Sequence, residues 1–561
     1  MRIKKVLLIF CIAFAFVFSS CDFLDFLFEE SGSTDNFVTV TQESDPDFYT
    51  YYVKLNMSSK TFKAKQTGYA RMVDGAEENK NNDTDSFIRN FNRQLNEKVK
   101  LDVQNEANRS AAGDRAVVSA YSQLSYIKGE EEAFYSYTKT EKTLLGGEKN
   151  ISESITSICK YVGQHCYVFA DTKNSRLSSK GISLSDSDYV KLGQKFDDCY
   201  EREVAINGNP FYEEYNNKYF VPCNEKIVIL VSDLFGDASQ NQDSGTVGYF
   251  YQGDMFNQNY LDKNEESFGE INSNECEMFY IDALFLTKRP DTVYSTLVHE
   301  FNHMINYVIK TVNYMTKNPN ATNLQTCDVW FTEMLSMTTE DMFQGVLGIE
   351  DEDSPKGRLP YFNLYYNYGF KLWDDSSIPN YITYANTYAF GAFLVRNFGG
   401  IALLKQMAQN EYVNEKAINA AFEVLYPGVT YTINNQEKQI DFEYALRKFS
   451  LCLFNTDQPT AEQLLATGED QYFSFNRATD KNRSDGLTFT AIDIMNIECY
   501  VQNKNGSVSK QIIQPAFYEK DEAVDLGPTG FSVHEVGSVS RFELYANTNE
   551  KLEYYLIQIK Q

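Results

Sequence analysis

The chain has 561 residues, which at roughly 100–200 residues per domain allows about three domains. It is 43% hydrophobic and 23% charged, enough apolar material for a sizeable core and too much for global disorder. Lys and Arg total 51 against 78 Asp and Glu; the resulting charge of −27 repels phosphate backbones and argues against a nucleic-acid partner.

Residues 1–20 read as an export signal. Arg2, Lys4 and Lys5 precede a short apolar run from Val6 to Phe18, and Ser19 and Ser20 are small. The run is too short to favour a spanning helix over a cleaved signal. Val17-Phe18-Ser19-Ser20-Cys21 resembles a bacterial lipobox, with Phe18 where Leu is usual. The resemblance implies a lipid on Cys21 and a membrane-anchored lipoprotein of the cell envelope; ordinary secretion is the alternative. Loss of residues 1–20 leaves 48 basic against 78 acidic side chains, a charge of −30. Residues 21–47 are acidic and rich in Ser (Glu29-Glu30-Ser31-Gly32-Ser33-Thr34-Asp35) and read as a tether.

Residues 48–154 read as a β-rich region. Tyr49, Tyr51, Val53 and Leu55 alternate with polar side chains, a short helix is expected over 85–99, and Ala116–Tyr121 is strand-like. Cys166–Ala170, Lys226–Val231 and Met278–Leu286 are short apolar runs that suit buried strands, and Leu184–Val204 has helical periodicity. After Pro290 helical patterns take over. They cover Asp291–Val312, Asp328–Phe343, Thr387–Phe398, Ile401–Gln409, Asn414–Leu425 and Phe442–Phe454. From about residue 470 to 561 short β-like runs return and suggest a C-terminal β domain. Beyond Cys21 eight further cysteines lie at 159, 166, 199, 223, 276, 327, 452 and 499. Their even number permits disulfides and none has CxxC spacing; buried free thiols are the alternative.

Only four histidines occur, and two of them form His299-Glu300-Phe301-Asn302-His303. Residues four apart on a helix lie about 6 Å along the axis and about 40° around it, so both imidazoles can ligate one tetrahedral zinc. Glu300 lies about 100° around from His299 and flanks that metal, as a general base acting on water would. Two neutral imidazoles need a third, anionic ligand. Glu333, on the next predicted helix, is thirty residues beyond His303, far enough for an antiparallel return. Glu340 is about two turns further along the same face and suits an acceptor for a ligand histidine's N–H.

This pattern, HExxH followed by Trp330-x-x-Glu333-x-x-Ser336-x-x-x-Glu340, resembles the gluzincin metallopeptidases and fits best with the hyicolysin family of neutral metallopeptidases. The stretches that carry the resemblance are Lys226–Phe235, Gly248–Phe250, Asn274–Asp282, His299–Asn306 and Trp330–Asp341, within residues 155–400. The resemblance implies one zinc per chain on His299, His303 and Glu333, and a metal-bound water activated by Glu300. It implies a zincin-like α+β domain over 155–469, with a mixed-sheet lobe (155–290), an active-site helix and a helical lobe (291–469), flanked by the β-rich ends. Thr332-Glu333-Met334 departs from the usual Asn-Glu-Gly, and the bulk of Met334 is expected to narrow the cleft. Tyr388-Ala389-Phe390-Gly391 resembles the Tyr-x-x-Gly element of gluzincin aminopeptidases, which implies that Tyr388, with Tyr384 behind it, stabilises the oxyanion. The Gly-x-Met-Glu-Asn element of those aminopeptidases is absent, which favours an endopeptidase acting on proteins or peptides. The competing reading is a non-catalytic surface lipoprotein, an adhesin or host-protein binder. His165 and His534 read as structural, and Asp233, Asp237 and Asp243 as a solvated acidic loop rather than a calcium site.

Overall fold

The computed structural model describes residues 37–44, 46–63, 92, 124–142, 148–212, 219–239, 245–262, 272–318, 325–373, 378–433, 436–454, 473–502, 508–547 and 551–560. Residues 1–20 and Cys21, the helix expected over 85–99 apart from residue 92, the strand expected at 116–121 and Asp243 lie outside them. The architecture is mixed α+β. Strands β1 (Phe37–Glu43) and β2 (Phe48–Asn56) are followed by a six-stranded sheet. Its members are β3 (Glu131–Lys142), β4 (Glu148–Val162), β5 (Cys166–Asp171), β6 (Ile227–Ser232), β7 (Gly248–Phe250) and β8 (Met278–Asp282). Their spatial order is β3-β4-β5-β6-β8-β7. The central β5, β6 and β8 run parallel, while β3, β4 and β7 join antiparallel. The parallel strands are buried at every position, which explains their unbroken apolar runs.

Helices cover this sheet and then build a lobe of their own: α1 (Asp186–Asn207), α2 (Ala283–Lys288), α3 (Pro290–Tyr307), α4 (Val329–Leu347), α5 (Leu359–Tyr365), α6 (Asn380–Asn397), α7 (Ile401–Gln409), α8 (Glu415–Leu425) and α9 (Phe442–Leu451). Phe301 of α3 packs on Phe196 and Tyr200 of α1, with ring centroids 5.0 and 5.2 Å apart. At its far end α3 passes into a π-helical turn, Val308–Val312. The buried Lys310 in that turn donates to Met407 O at 2.7 Å and to Asn410 Oδ1 at 3.1 Å, so it serves the carbonyl end of α7.

Two boundaries differ from the periodicity. The run Met278–Leu286 is a strand only as far as Asp282, whose carboxylate accepts Leu284 N and Phe285 N and so caps α2. Helix α6 starts at Asn380, seven residues before Thr387. Residues 382–396 of α6 are buried on all sides, so no polar face marks its start.

The division into consecutive regions needs correction. Strand β3 and the start of β4, assigned to the N-terminal region 48–154, belong to the six-stranded sheet. The C-terminal strands are β9 (Ile497–Gln502), β10 (Val508–Ile513), β11 (Tyr518–Glu519), β12 (Phe531–Gly537), β13 (Arg541–Asn547) and β14 (Leu552–Lys560). Strand β2 lies between β12 and β14 in one sheet. Residues 37–43, assigned to the tether, form β1 and pair with β13. The two ends of the chain thus complete one another, and pairing between segments so distant leaves no local signature. Residues 473–492, assigned to the C-terminal domain, instead pack on the helical lobe: Phe475 lies against Phe393 and Phe449, and Ser474 N donates to Asn397 Oδ1 at 3.0 Å. The eight described cysteines are all free thiols, so the disulfide alternative falls.

His534 joins these ends. Its ring stacks on Tyr52 at 4.6 Å, Nδ1 donates to Glu519 O at 2.9 Å, and Nε2 accepts from Ser532 Oγ at 2.8 Å. Burial, reinforced by Lys54, pushes its pKa from 6.5 down to about 3. Between those values only the unfolded chain holds the proton, so stability falls as pH drops through that window, by up to about 1.4 kcal/mol per unit. Urea unfolding at several pH values should show this slope, and His534→Gln should remove its share. An unchanged slope would contradict a neutral buried imidazole.

Candidate metal centre

Helix α3 opens with Pro290 at its first position and Asp291 in its first turn, both favourable there. Phe301, Met304 and Ile305 turn into the core, which leaves His299 and His303 together on the face towards α4. Contacts from Ser295 to Glu340 at one end and from His303 to Thr332 at the other show that α3 and α4 run antiparallel. Edge strand β7 also packs closely against α3. A methyl group at Gly248 would stand 2.8 Å from Thr296 Cγ2 and 2.8 Å from Tyr280 O, so glycine is required for this approach.

Three side chains converge. His299 Nε2 and His303 Nε2 are 3.0 Å apart, and Glu333 Oε2 lies 3.3 Å from the first and 3.6 Å from the second. These spacings can be tested against a metal. Ligand bonds of about 2.0–2.2 Å in a zinc tetrahedron give edges of about 3.3–3.5 Å, close to those found. Glu333 Oε2 is moreover buried without a hydrogen-bond partner, an arrangement that is costly unless a cation serves it. Two imidazoles and one carboxylate are also a donor set that zinc prefers. Among the described residues no other group of His, Cys, Asp and Glu converges in this way.

Further side chains hold these three. Glu340 Oε1 lies 2.6 Å from His299 Nδ1, and Ser295 Oγ donates to Glu340 Oε2 at 2.6 Å. His303 Nδ1 lies 3.1 Å from Thr332 Oγ1 and 3.3 Å from Ser336 Oγ. Burial alone would depress the His299 pKa, but Glu340 and then Glu333 and Glu300 outweigh it, and the net shift is well upward. Burial would raise Glu333, yet His303 and His299 hold it well below the usual carboxylate range. This charge balance suits a divalent ion equally well. Glu300 is buried beside the pair at 7% exposure. Glu203 of α1 is fully buried with neither oxygen hydrogen-bonded among the described residues, and burial pushes its pKa well up. Spacing in the sequence assigns no role at this centre to Ser295, Thr332, Ser336 or Glu203. Ser295 was accessible as the residue one turn before His299; Glu203 had no local signal.

Tyr388 is not brought to this centre. It is fully buried, and its hydroxyl donates to Asp341 Oδ2 at 3.0 Å, beside Arg396. A hydroxyl committed inside the core cannot meet an oxyanion in a cleft, so the oxyanion assignment is corrected. Tyr384 is also buried, edge-on to Trp373 at 5.0 Å, with the Arg358 guanidinium 4.9 Å from its ring centroid. Nor does Met334 narrow a cleft. It is fully buried against α6, where a methyl group at Gly391 would stand 2.9 Å from Met334 Cγ and 2.3 Å from Thr338 Oγ1. Gly391 therefore makes room for Met334. Of the remaining candidates, His165 stacks on Tyr200 at 4.0 Å, Asp233 pairs with Lys180, and Asp237 accepts Thr246 Oγ1 at 2.9 Å.

No protein-family profile matches the chain. It is 22% identical over 329 residues to a neutral metalloprotease, ShpI, of Staphylococcus hyicus, a match that covers 55% of this chain and 66% of that protein. The chain thus spans just under two thirds of that relative's length. A solved structure of an aminopeptidase N family protein from Idiomarina loihiensis aligns over 77% of this chain and 75% of its own, at 10% identity and a TM-score of 0.28. The first of these is a distant homology to a metalloprotease.

Proposed function

We propose that the chain is a zinc-dependent peptidase, an endopeptidase in type, that hydrolyses peptide bonds. The observation that carries this is the convergence of His299 Nε2, His303 Nε2 and the unpartnered Glu333 Oε2 beside the buried Glu300. The name of the Staphylococcus hyicus relative supports the same class of reaction. Zinc bound there would supply a Lewis acid that polarises a peptide carbonyl and acidifies water. His299, His303 and Glu333 would hold it, with Glu340 and Ser295 fixing His299. Glu300 takes the proton from the attacking water and returns it to the leaving amine. Metal analysis of protein purified without chelator tests this. One zinc per chain is expected, with casein cleavage lost on chelation and restored by zinc. Protein without zinc, or cleavage that survives chelation, would overturn the proposal and favour a binding protein on a peptidase-like scaffold.

A further inference from the structure

The hydrogen-bond directions behind His303 can be followed outward from a backbone carbonyl. Leu335 C=O only accepts, so the Thr339 hydroxyl, 2.9 Å away, donates to it. The Thr339 oxygen then accepts, from Asn302 Nδ2 at 3.3 Å and from Asn207 Nδ2 at 3.1 Å. Asn302 therefore turns Oδ1 the other way, where Ser336 Oγ donates at 3.0 Å and Asn306 Nδ2 at 2.9 Å. With its one proton committed, Ser336 Oγ can only accept from His303 Nδ1, 3.3 Å away. Thr332 Oγ1 offers the same nitrogen a second oxygen at 3.1 Å. Asn207, Asn302, Asn306, Ser336 and Thr339 are each at most 2% exposed, so water does not compete for these bonds.

We infer that Ser336 and Thr332, oriented through Asn302 and Thr339, are positioning residues that fix His303 as the Nδ1–H tautomer. Its Nε2 then presents a lone pair towards Glu333 before any metal arrives. The inference deepens, and rests on, the metal-centre reading above. A neutral imidazole exchanges between two tautomers, and only the one with a bare Nε2 can ligate there. The two ligand histidines are thereby held by different chemistry. His299 faces the carboxylate of Glu340, whereas His303 ends a neutral relay of hydroxyls and amides. Asn302, a variable position of the HExxH pattern, is the hinge of that relay, because its amide passes the direction set at the Leu335 carbonyl on to Ser336.

The test uses the full-length, metal-free protein with its histidines labelled with nitrogen-15, at a pH where imidazole is neutral. Long-range correlation spectra assigned with His303→Gln separate a bare ring nitrogen from an N–H nitrogen. The wild type should show His303 with bare Nε2 and protonated Nδ1. In the Thr332→Val/Ser336→Ala variant both nitrogens should move towards averaged positions. Zinc affinity, read by chelator competition, should fall about 10–100-fold. Restoring the hydroxyl as Thr332→Ser with Ser336 intact should recover both readouts, which a general packing defect would not allow. Should the double variant not fold, Ser336→Ala alone carries the same comparison. A protonated Nε2 in the wild type, or wild-type nitrogens and zinc affinity in the variant, overturns the inference. Wild-type protein that shows the expected nitrogens yet binds no zinc overturns the metal-centre reading instead and leaves the tautomer assignment standing.

Discussion

Glu300→Gln will retain one zinc per chain and lose about 10²–10⁴-fold in peptide hydrolysis. Gln has nearly the shape of Glu but cannot take a proton from water. None of the three converging donors is altered, since His299, His303 and Glu333 are separate side chains. Helical geometry puts Glu300 about 100° around from His299, beside the ligand face rather than on it. Metal content therefore separates from turnover in this variant, whereas Glu333→Ala should lose both. The measurement is casein cleavage per bound zinc. Hydrolysis at the wild-type rate by Glu300→Gln would remove Glu300 from the mechanism.

What the sequence revealed, and what it hid, follows from how local each feature is. His299 and His303 share a helix face through spacing alone, and the chain between α3 and α4 is long enough to return, so the trio with Glu333 was legible. Glu340 could be placed because two helical turns separate it from Glu333 on the same element. Ser336 and Thr332 were equally near in sequence, but their task depends on a proton direction set by Asn302 and Thr339, which no spacing encodes. Tyr388 was misread for a related reason. Tyr388-Ala389-Phe390-Gly391 matches a motif as letters, but α6 rotates Tyr388 into the core, onto Asp341. The buried strands were legible as apolar runs, while their partners were not. Nothing in residues 48–56 announces that they pair with residues 531–537 and 552–560. Long-range pairing is decided by packing that only the folded chain supplies.

Asp341→Ala should destabilise the fold by about 3–5 kcal/mol, because it strands a buried charge. Arg396 is fully buried and meets Asp341 through two bonds, Nη1 to Oδ2 at 2.7 Å and Nη2 to Oδ1 at 3.2 Å. Its Nε donates to Thr490 O at 2.8 Å, so the same guanidinium also ties residues 473–492 to the helical lobe. Removal of the carboxylate leaves the guanidinium without its counter-charge and without access to water. Asp341 directly follows Glu340, and the two point to different sides of α4. One orients His299, and the other anchors the helix to α6. Loss of Asp341 should accordingly loosen zinc binding as well as stability, without any contact to the metal centre. Tyr388→Phe separates the alternatives. If Tyr388 only supports Asp341, the variant loses about 1 kcal/mol for one hydrogen bond and keeps its turnover. If Tyr388 met the oxyanion, turnover would fall by about 10²-fold or more with stability nearly intact. Urea unfolding and casein kinetics on the two variants decide this, and a turnover defect in Tyr388→Phe at unchanged stability would return that residue to the active site.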